Sequence, residues 1–124
     1  MKKVIATLNA PGAIGPYSQA IDTGSLVFCS GQIPVNPADG SIPGGIQAQT
    51  QQAIANVAAL LNEAGLTLAD VVKTTVYLAD MGDFQAMNEV YGQSFDAPYP
   101  ARSAVAVREL PKKVLVEIEV IAAR

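Results

Sequence analysis

QAQTQQAIANVAALLNEAGLTLADVVKTTVYLA, residues 47–79, carries two different periodicities in one stretch. Thr50, Ala53, Ile54, Val57, Leu60, Leu61 and Ala64 recur at three- and four-residue spacing, which predicts a helix over Gln47 to Ala64 with one apolar face. Gly65 suits the left-handed residue that ends such a helix. Val71 to Ala79 then turns β-branched and aromatic and reads as a strand. A helix with one apolar face must bury it against another layer, and the rest of the chain supplies strands for that layer.

Upstream, Lys3 to Thr7 reads as a short strand and Asn9 to Pro16 as a Pro/Gly loop. Tyr17 to Ile21 and Leu26 to Ser30 read as a hairpin turning at Asp22-Thr23-Gly24, and Gly31 to Gly45 as a long surface connection. Downstream, Phe84, Met87, Val90, Tyr91 and Phe95 line one face of a second helix, with Asp80 and Asp83 placed to cap and charge its start. Ser103 to Val107 and Val114 to Ala122 are the final strands, parted by Leu110-Pro111-Lys112-Lys113. Two helices cannot cover both faces of a sheet this size. The expectation is an α+β domain, residues 1–124, with a mixed β-sheet and both helices packed on one face. The other face must be polar or buried in a partner. Val4, Val27, Val76, Val105, Val107, Val116 and Val120 are expected to furnish it, which suggests a symmetric oligomer.

The 124 residues are half hydrophobic and only 15% charged, so part of the apolar excess is expected in a subunit interface. The net charge of −3 and the scattered basic residues, with Lys2-Lys3 and Lys112-Lys113 the local doublets, argue against a nucleic-acid partner. There is no histidine and one cysteine, Cys29, which excludes an intramolecular disulfide, the usual zinc sites and Ser-His or Cys-His catalysis. No apolar run approaches the ~20 residues of a membrane span, so a cytoplasmic protein is expected.

Any chemistry must therefore work without imidazole, and Arg102, just before an apolar strand, is the leading anion anchor. Its guanidinium stays charged and is forked to grip a carboxylate; taken alone, it is equally a solvated edge residue. Asn88 lies four residues after Phe84 and three before Tyr91, so it points the same way as they do. It is either a site residue or an internal cap to a backbone carbonyl. Glu117 and Glu119 alternate with Val116, Ile118 and Val120 and share one side of the last strand. They form either a charged outer face or a base that polarises a water beside an anchored anion. Ser30-Gly31-Gln32 ends a strand where glycine lets a ligand approach the backbone N–H groups, or simply turns the chain. Tyr17, at the exit of the Pro/Gly loop, is a core aromatic or a mobile lid, and Cys29 reads as a small buried apolar residue.

Taken together, Ala13-Ile14-Gly15-Pro16-Tyr17-Ser18-Gln19-Ala20, Ser30-Gly31-Gln32-Ile33-Pro34, Val72-Lys73-Thr74-Thr75-Val76-Tyr77-Leu78, Phe84 through Asn88 to Tyr91, Pro100-Ala101-Arg102-Ser103 and Val116-Glu117-Ile118-Glu119 form a collinear set. In this set the chain resembles the RidA family, the reactive intermediate deaminases, also called YjgF. The resemblance spans nearly the whole chain. It implies a chorismate-mutase-like α+β fold, a homotrimer with sites in the clefts between subunits, and cofactor-independent hydrolysis. The implied substrates are enamines such as 2-aminoacrylate and 2-aminocrotonate and their imine tautomers, converted to 2-keto acids and ammonia. Carried over by position, Arg102 holds the substrate carboxylate with help from the Gly31 N–H. Glu117 attends the attacking water, Tyr17 lines the pocket, Asn88 stands at its wall, and Ser30 borders it. Ala104 stands where many members carry a cysteine, so no thiol two residues after the arginine takes part. The alternatives are a non-catalytic 2-keto acid sensor and a ribonuclease or translation inhibitor, a name long attached to the family; the acidic charge and missing histidine disfavour the latter.

Overall fold

The structure is a computed structural model describing residues 2–124. Six strands form one mixed sheet: β1 (Lys3–Ile5), β2 (Ala20–Asp22), β3 (Leu26–Gln32), β4 (Val71–Leu78), β5 (Ala101–Ala106) and β6 (Val116–Ala123). Their order across the sheet is β1-β2-β3-β6-β4-β5. All neighbours are antiparallel except β4 and β5, which run parallel. That parallel pair needs a crossover, and helix α2 (Phe84–Ser94) supplies it; the longer helix α1 (Ile46–Glu63) follows β3.

The face expected of α1 is the one it buries: Ala53, Ile54, Val57, Leu60 and Leu61 join the core, and Thr50 is fully enclosed. Gly65, at φ 78°, closes α1 through two bonds, Leu66 N–H to the Leu61 carbonyl (2.8 Å) and Gly65 N–H to that of Asn62 (3.0 Å). This pairing satisfies carbonyls that a helix end otherwise leaves bare. Two buried amides bind neighbouring chain to α1. Asn56 donates to the carbonyls of Ile33 and Val35, and Gln49 donates to that of Pro43 while accepting from Leu115 N–H. Met87, Tyr91 and Phe95 bring α2 into the same core. Both helices therefore lie on one face of the sheet, as expected.

Strand alternation assigns the sheet residues. On β6, Val116, Ile118, Val120 and Ala122 are buried toward the helices, and Glu117, Glu119 and Ile121 point away, half-buried. Here the valine expectation needs correction. Val27, Val76, Val116 and Val120 lie in the core, not on the open face. The register aligns Val27 with Ala122 and Val76 with Ile118, so all four fall on the helix side of the pleat. The open face instead carries exposed Val4, Phe28 and Val105 among Lys73, Thr75, Tyr77, Glu117 and Glu119.

The hairpin is shorter than expected, because Tyr17 to Gln19 are not in β2. Buried Gln19 spends its side chain on the preceding loop, accepting from Thr7 N–H (2.8 Å) and donating to the carbonyls of Thr7, Ala10 and Pro11. Asp80 caps a short 3-10 turn by accepting from Gly82 N–H (2.7 Å), whereas Asp83 makes no side-chain cap on α2. Among the described residues, no helix is long and apolar enough to cross a membrane.

Candidate active site

The six residues expected at the site fall into two groups, set on opposite faces of the sheet. The first forms where edge strand β5 passes α2. Arg102 pairs with Thr74 in the parallel register, so it projects to the helix side. There its Nη1 donates to Asn88 Oδ1 at 2.7 Å. Asn88 thus faces the arginine rather than capping a backbone carbonyl. The guanidinium carbon lies 4.7 Å from the ring centroid of Tyr91 and 5.5 Å from that of Phe84, within cation–π range. Phe84, Asn88 and Tyr91 stand at i, i+4 and i+7 of α2, which places all three on the face turned to Arg102. Among the described residues no carboxylate pairs with Arg102; the one ion pair found joins Arg124 to Asp22.

The second group lies on the open face. The register between β3 and β6 shifts between Cys29 and Gln32, so Ser30 and Gly31 form a bulge. The Glu117 carboxylate fills the place where a Cβ on Gly31 would stand, with its Cγ 3.1 Å from that point. Any larger residue would have to push that carboxylate aside. Burial, and then the like charge of Glu119, raise the Glu117 carboxyl above the usual range of a glutamic acid. Glu119 accepts a hydrogen bond from the Tyr77 hydroxyl (2.9 Å). That bond, with burial and the charges of both glutamates, pushes the tyrosine's pKa up. The Ser30 hydroxyl is committed to the Ser18 carbonyl at 2.7 Å, which fixes the bulge to the loop carrying Tyr17. Tyr17 is half exposed and lines a hollow of about 500 Å³ with Ser30, Lys73, Thr75 and Glu119. Cys29 is buried on the helix side, and burial pushes its thiol up to about 12, so it stays protonated.

One chain therefore holds an unneutralised guanidinium on one face and a carboxylate of raised pKa on the other, with β4 between their strands. The first can bind an anion. The second, its carboxyl raised by burial and by Glu119, is the candidate proton acceptor. Reading the sequence missed the ring platform under Arg102 and the Tyr77–Glu119 bond. The spacing of Phe84, Asn88 and Tyr91 already put them on one face, but the strand they meet is set by the register of β5.

Comparison with known proteins places the chain in a family. The family model described as Endoribonuclease L-PSP matches residues 7–124. TdcF of Escherichia coli (strain K12), named a reactive intermediate deaminase, is 54% identical over 127 residues, covering 100% of this chain and 98% of TdcF. A crystal structure of E. coli TdcF with bound serine superposes with a TM-score of 0.96 at 53% identity, covering 98% of each chain. The 2-iminobutanoate/2-iminopropanoate deaminase of E. coli (strain K12) is 50% identical over 127 residues, covering 100% of this chain and 99% of the relative. The crystal structure of the E. coli YjgF gene product has the same mixed six-stranded α+β fold, with a TM-score of 0.96 at 50% identity over 98% of each chain. The match covers nearly all of the chain and extends to sequence and fold alike: the chain belongs to the Endoribonuclease L-PSP family, the RidA (YjgF) family that it resembles in its motifs.

Proposed function

We propose that the protein is a 2-iminobutanoate/2-iminopropanoate deaminase, hydrolysing imines derived from 2-aminoacrylate and 2-aminocrotonate to 2-keto acids and ammonia. The observation that carries this reading is the full-length identity of 50% to a relative that bears that name. The separation of Arg102 from Glu117 supports a second element, a homotrimer in which each site lies between two copies. Arg102 and Asn88 of one copy then meet Glu117, Gly31, Ser30 and Tyr17 of the next. The apolar side chains on the open sheet face, Val4, Phe28 and Val105, favour its burial against another copy.

The chemistry follows from these groups. Arg102, aided by the Gly31 N–H, holds the substrate carboxylate and so places the adjacent imine carbon beside a water. Glu117 accepts a proton from that water as its oxygen bonds to the carbon, and the C=N π pair moves to nitrogen. Glu117 then gives that proton to the carbinolamine nitrogen and takes the hydroxyl proton as the oxygen's pair forms C=O and the C–N bond breaks, so that ammonia leaves with the bonding pair and carries the last proton away as ammonium. A protonated imine carbon is already electrophilic, so positioning and one base suffice. Tyr17 closes the pocket, and Asn88 holds Arg102 at its wall. A sensor of 2-keto acids would use the anchor but would have no need of Glu117. The small-molecule chemistry and the acidic net charge of −3 favour the imino acid over nucleic acid as partner.

The test is to run a threonine dehydratase on threonine with and without the protein, following decay of the imine and appearance of 2-oxobutanoate. Faster keto-acid release is expected. An unchanged rate, with 2-oxobutanoate still bound by the protein, would favour the sensor.

A further inference from the structure

We infer that Phe84 and Tyr91 are positioning residues of this site, a two-ring platform that holds the Arg102 guanidinium ready for a carboxylate. The inference rests on the reading of Arg102 as the carboxylate anchor and adds how that anchor is kept in place and kept unpaired.

A half-buried arginine is ordinarily steadied by a carboxylate, and that partner would compete with the substrate's own. Here the neighbours are two aromatic rings, at 4.7 and 5.5 Å, and one neutral amide oxygen, Asn88 Oδ1. A ring face attracts a cation through its quadrupole but accepts no charge-assisted hydrogen bond. The guanidinium keeps its full charge, and Asn88 occupies one of its five N–H donors, at Nη1.

The platform is itself fixed. Tyr91 is buried, and its hydroxyl shares a 2.8 Å hydrogen bond with Thr74, also buried. Thr74 is the residue opposite Arg102 in the β4·β5 register, so the strand that flanks the arginine also locks the ring beneath it. The Tyr91 ring also packs on Phe95, with centroids 4.5 Å apart. Phe84, at the first turn of α2, is half-buried and packs against the core. These contacts limit the orientations of a side chain that is otherwise long and free, which is what preorganisation for a forked ligand requires.

The test compares 2-oxobutanoate with its neutral amide, 2-oxobutanamide, as ligands of the parent, Phe84→Leu, Phe84→Tyr and Arg102→Ala, alongside KM and kcat for imine hydrolysis. Phe84→Leu is expected to weaken 2-oxobutanoate by about 3- to 30-fold and raise KM in step, with the amide and kcat little changed. Phe84→Tyr, which restores a ring, is expected to recover the parent values. Tyr91→Leu carries the same expectation where it folds; where it does not, the Phe84 pair decides. A Phe84→Leu protein with the parent preference for acid over amide overturns the platform, and so does equal weakening of both ligands. Arg102→Ala separates the two readings. If it keeps the parent preference, the anchor itself is wrong. If it loses the preference while Phe84→Leu keeps it, only the platform fails.

Discussion

Ile118 and Glu117 are neighbours on β6, yet they belong to different problems. Ile118 is fully buried against the helices, in a layer where every expected apolar position of α1 is filled. Glu117 points to the open face, against a glycine that leaves it room and beside a second carboxylate. The core layer is filled within one chain, whereas the open face leaves Val4, Phe28 and Val105 exposed. In the proposed reaction its Glu117 serves as the base, and the Arg102 guanidinium that serves as the anchor sits across the sheet. Along β6 the pleat separates packing from the proposed chemistry: a one-residue step moves from the buried Ile118 to the candidate base Glu117.

Substitutions in the core and at the candidate site should therefore fail in different ways. Arg102→Ala should leave the melting temperature near the parent's and lower kcat/KM by a factor matching about 2–5 kcal/mol, the range for truncating one partner of a desolvated charge pair. Steady-state keto-acid release checks it, and near-parent turnover would break the assignment. Ile118→Ala should do the reverse. It should cost about 2–5 kcal/mol of unfolding free energy through the cavity it leaves, read by urea denaturation. The surviving folded fraction should keep its specific activity. Gly31→Ala probes the open face alone. A methyl group there forces the Glu117 carboxylate aside, so kcat should fall by about 100-fold, with a melting temperature close to the parent's.

A smaller effect concerns pH. Glu117 must be ionised to accept a proton, and burial and Glu119 raise its pKa, so activity should be lost on acidification above the usual glutamate range. Glu119→Gln removes the like charge, lowers the Glu117 pKa and should move the acid limb of the kcat profile to lower pH. A limb that moves upward would mean that Glu119 acts otherwise than by its charge.

Much of this was legible before any coordinates. The 3.6-residue period of Thr50 to Ala64 and the alternation of Val116 to Val120 specify their own faces, because each is a local property of the backbone. The spacing of Asn88 from Phe84 and Tyr91 likewise turns it the same way as they are. The valines were misplaced because which face a strand residue takes depends on register with neighbours far away in sequence, such as Val27 with Ala122. The same long-range registers, Thr74 with Arg102 and Tyr77 with Glu117, set the two site groups on opposite faces. The Ser30–Gly31 bulge and the loop fixed by Gln19 are likewise made by side-chain contacts that no short-range pattern announces.

The central claim is that Arg102 of one copy and Glu117 of another complete one site, and subunit mixing tests it directly. Arg102→Ala and Glu117→Gln proteins, each inactive alone, are unfolded together in equal amounts, refolded and assayed for imine hydrolysis. Random assembly leaves about one quarter of the clefts with both native side chains, so activity should return to about one quarter of the parent's. A mixture that assembles into mixed oligomers yet stays as inactive as either variant alone would contradict the account.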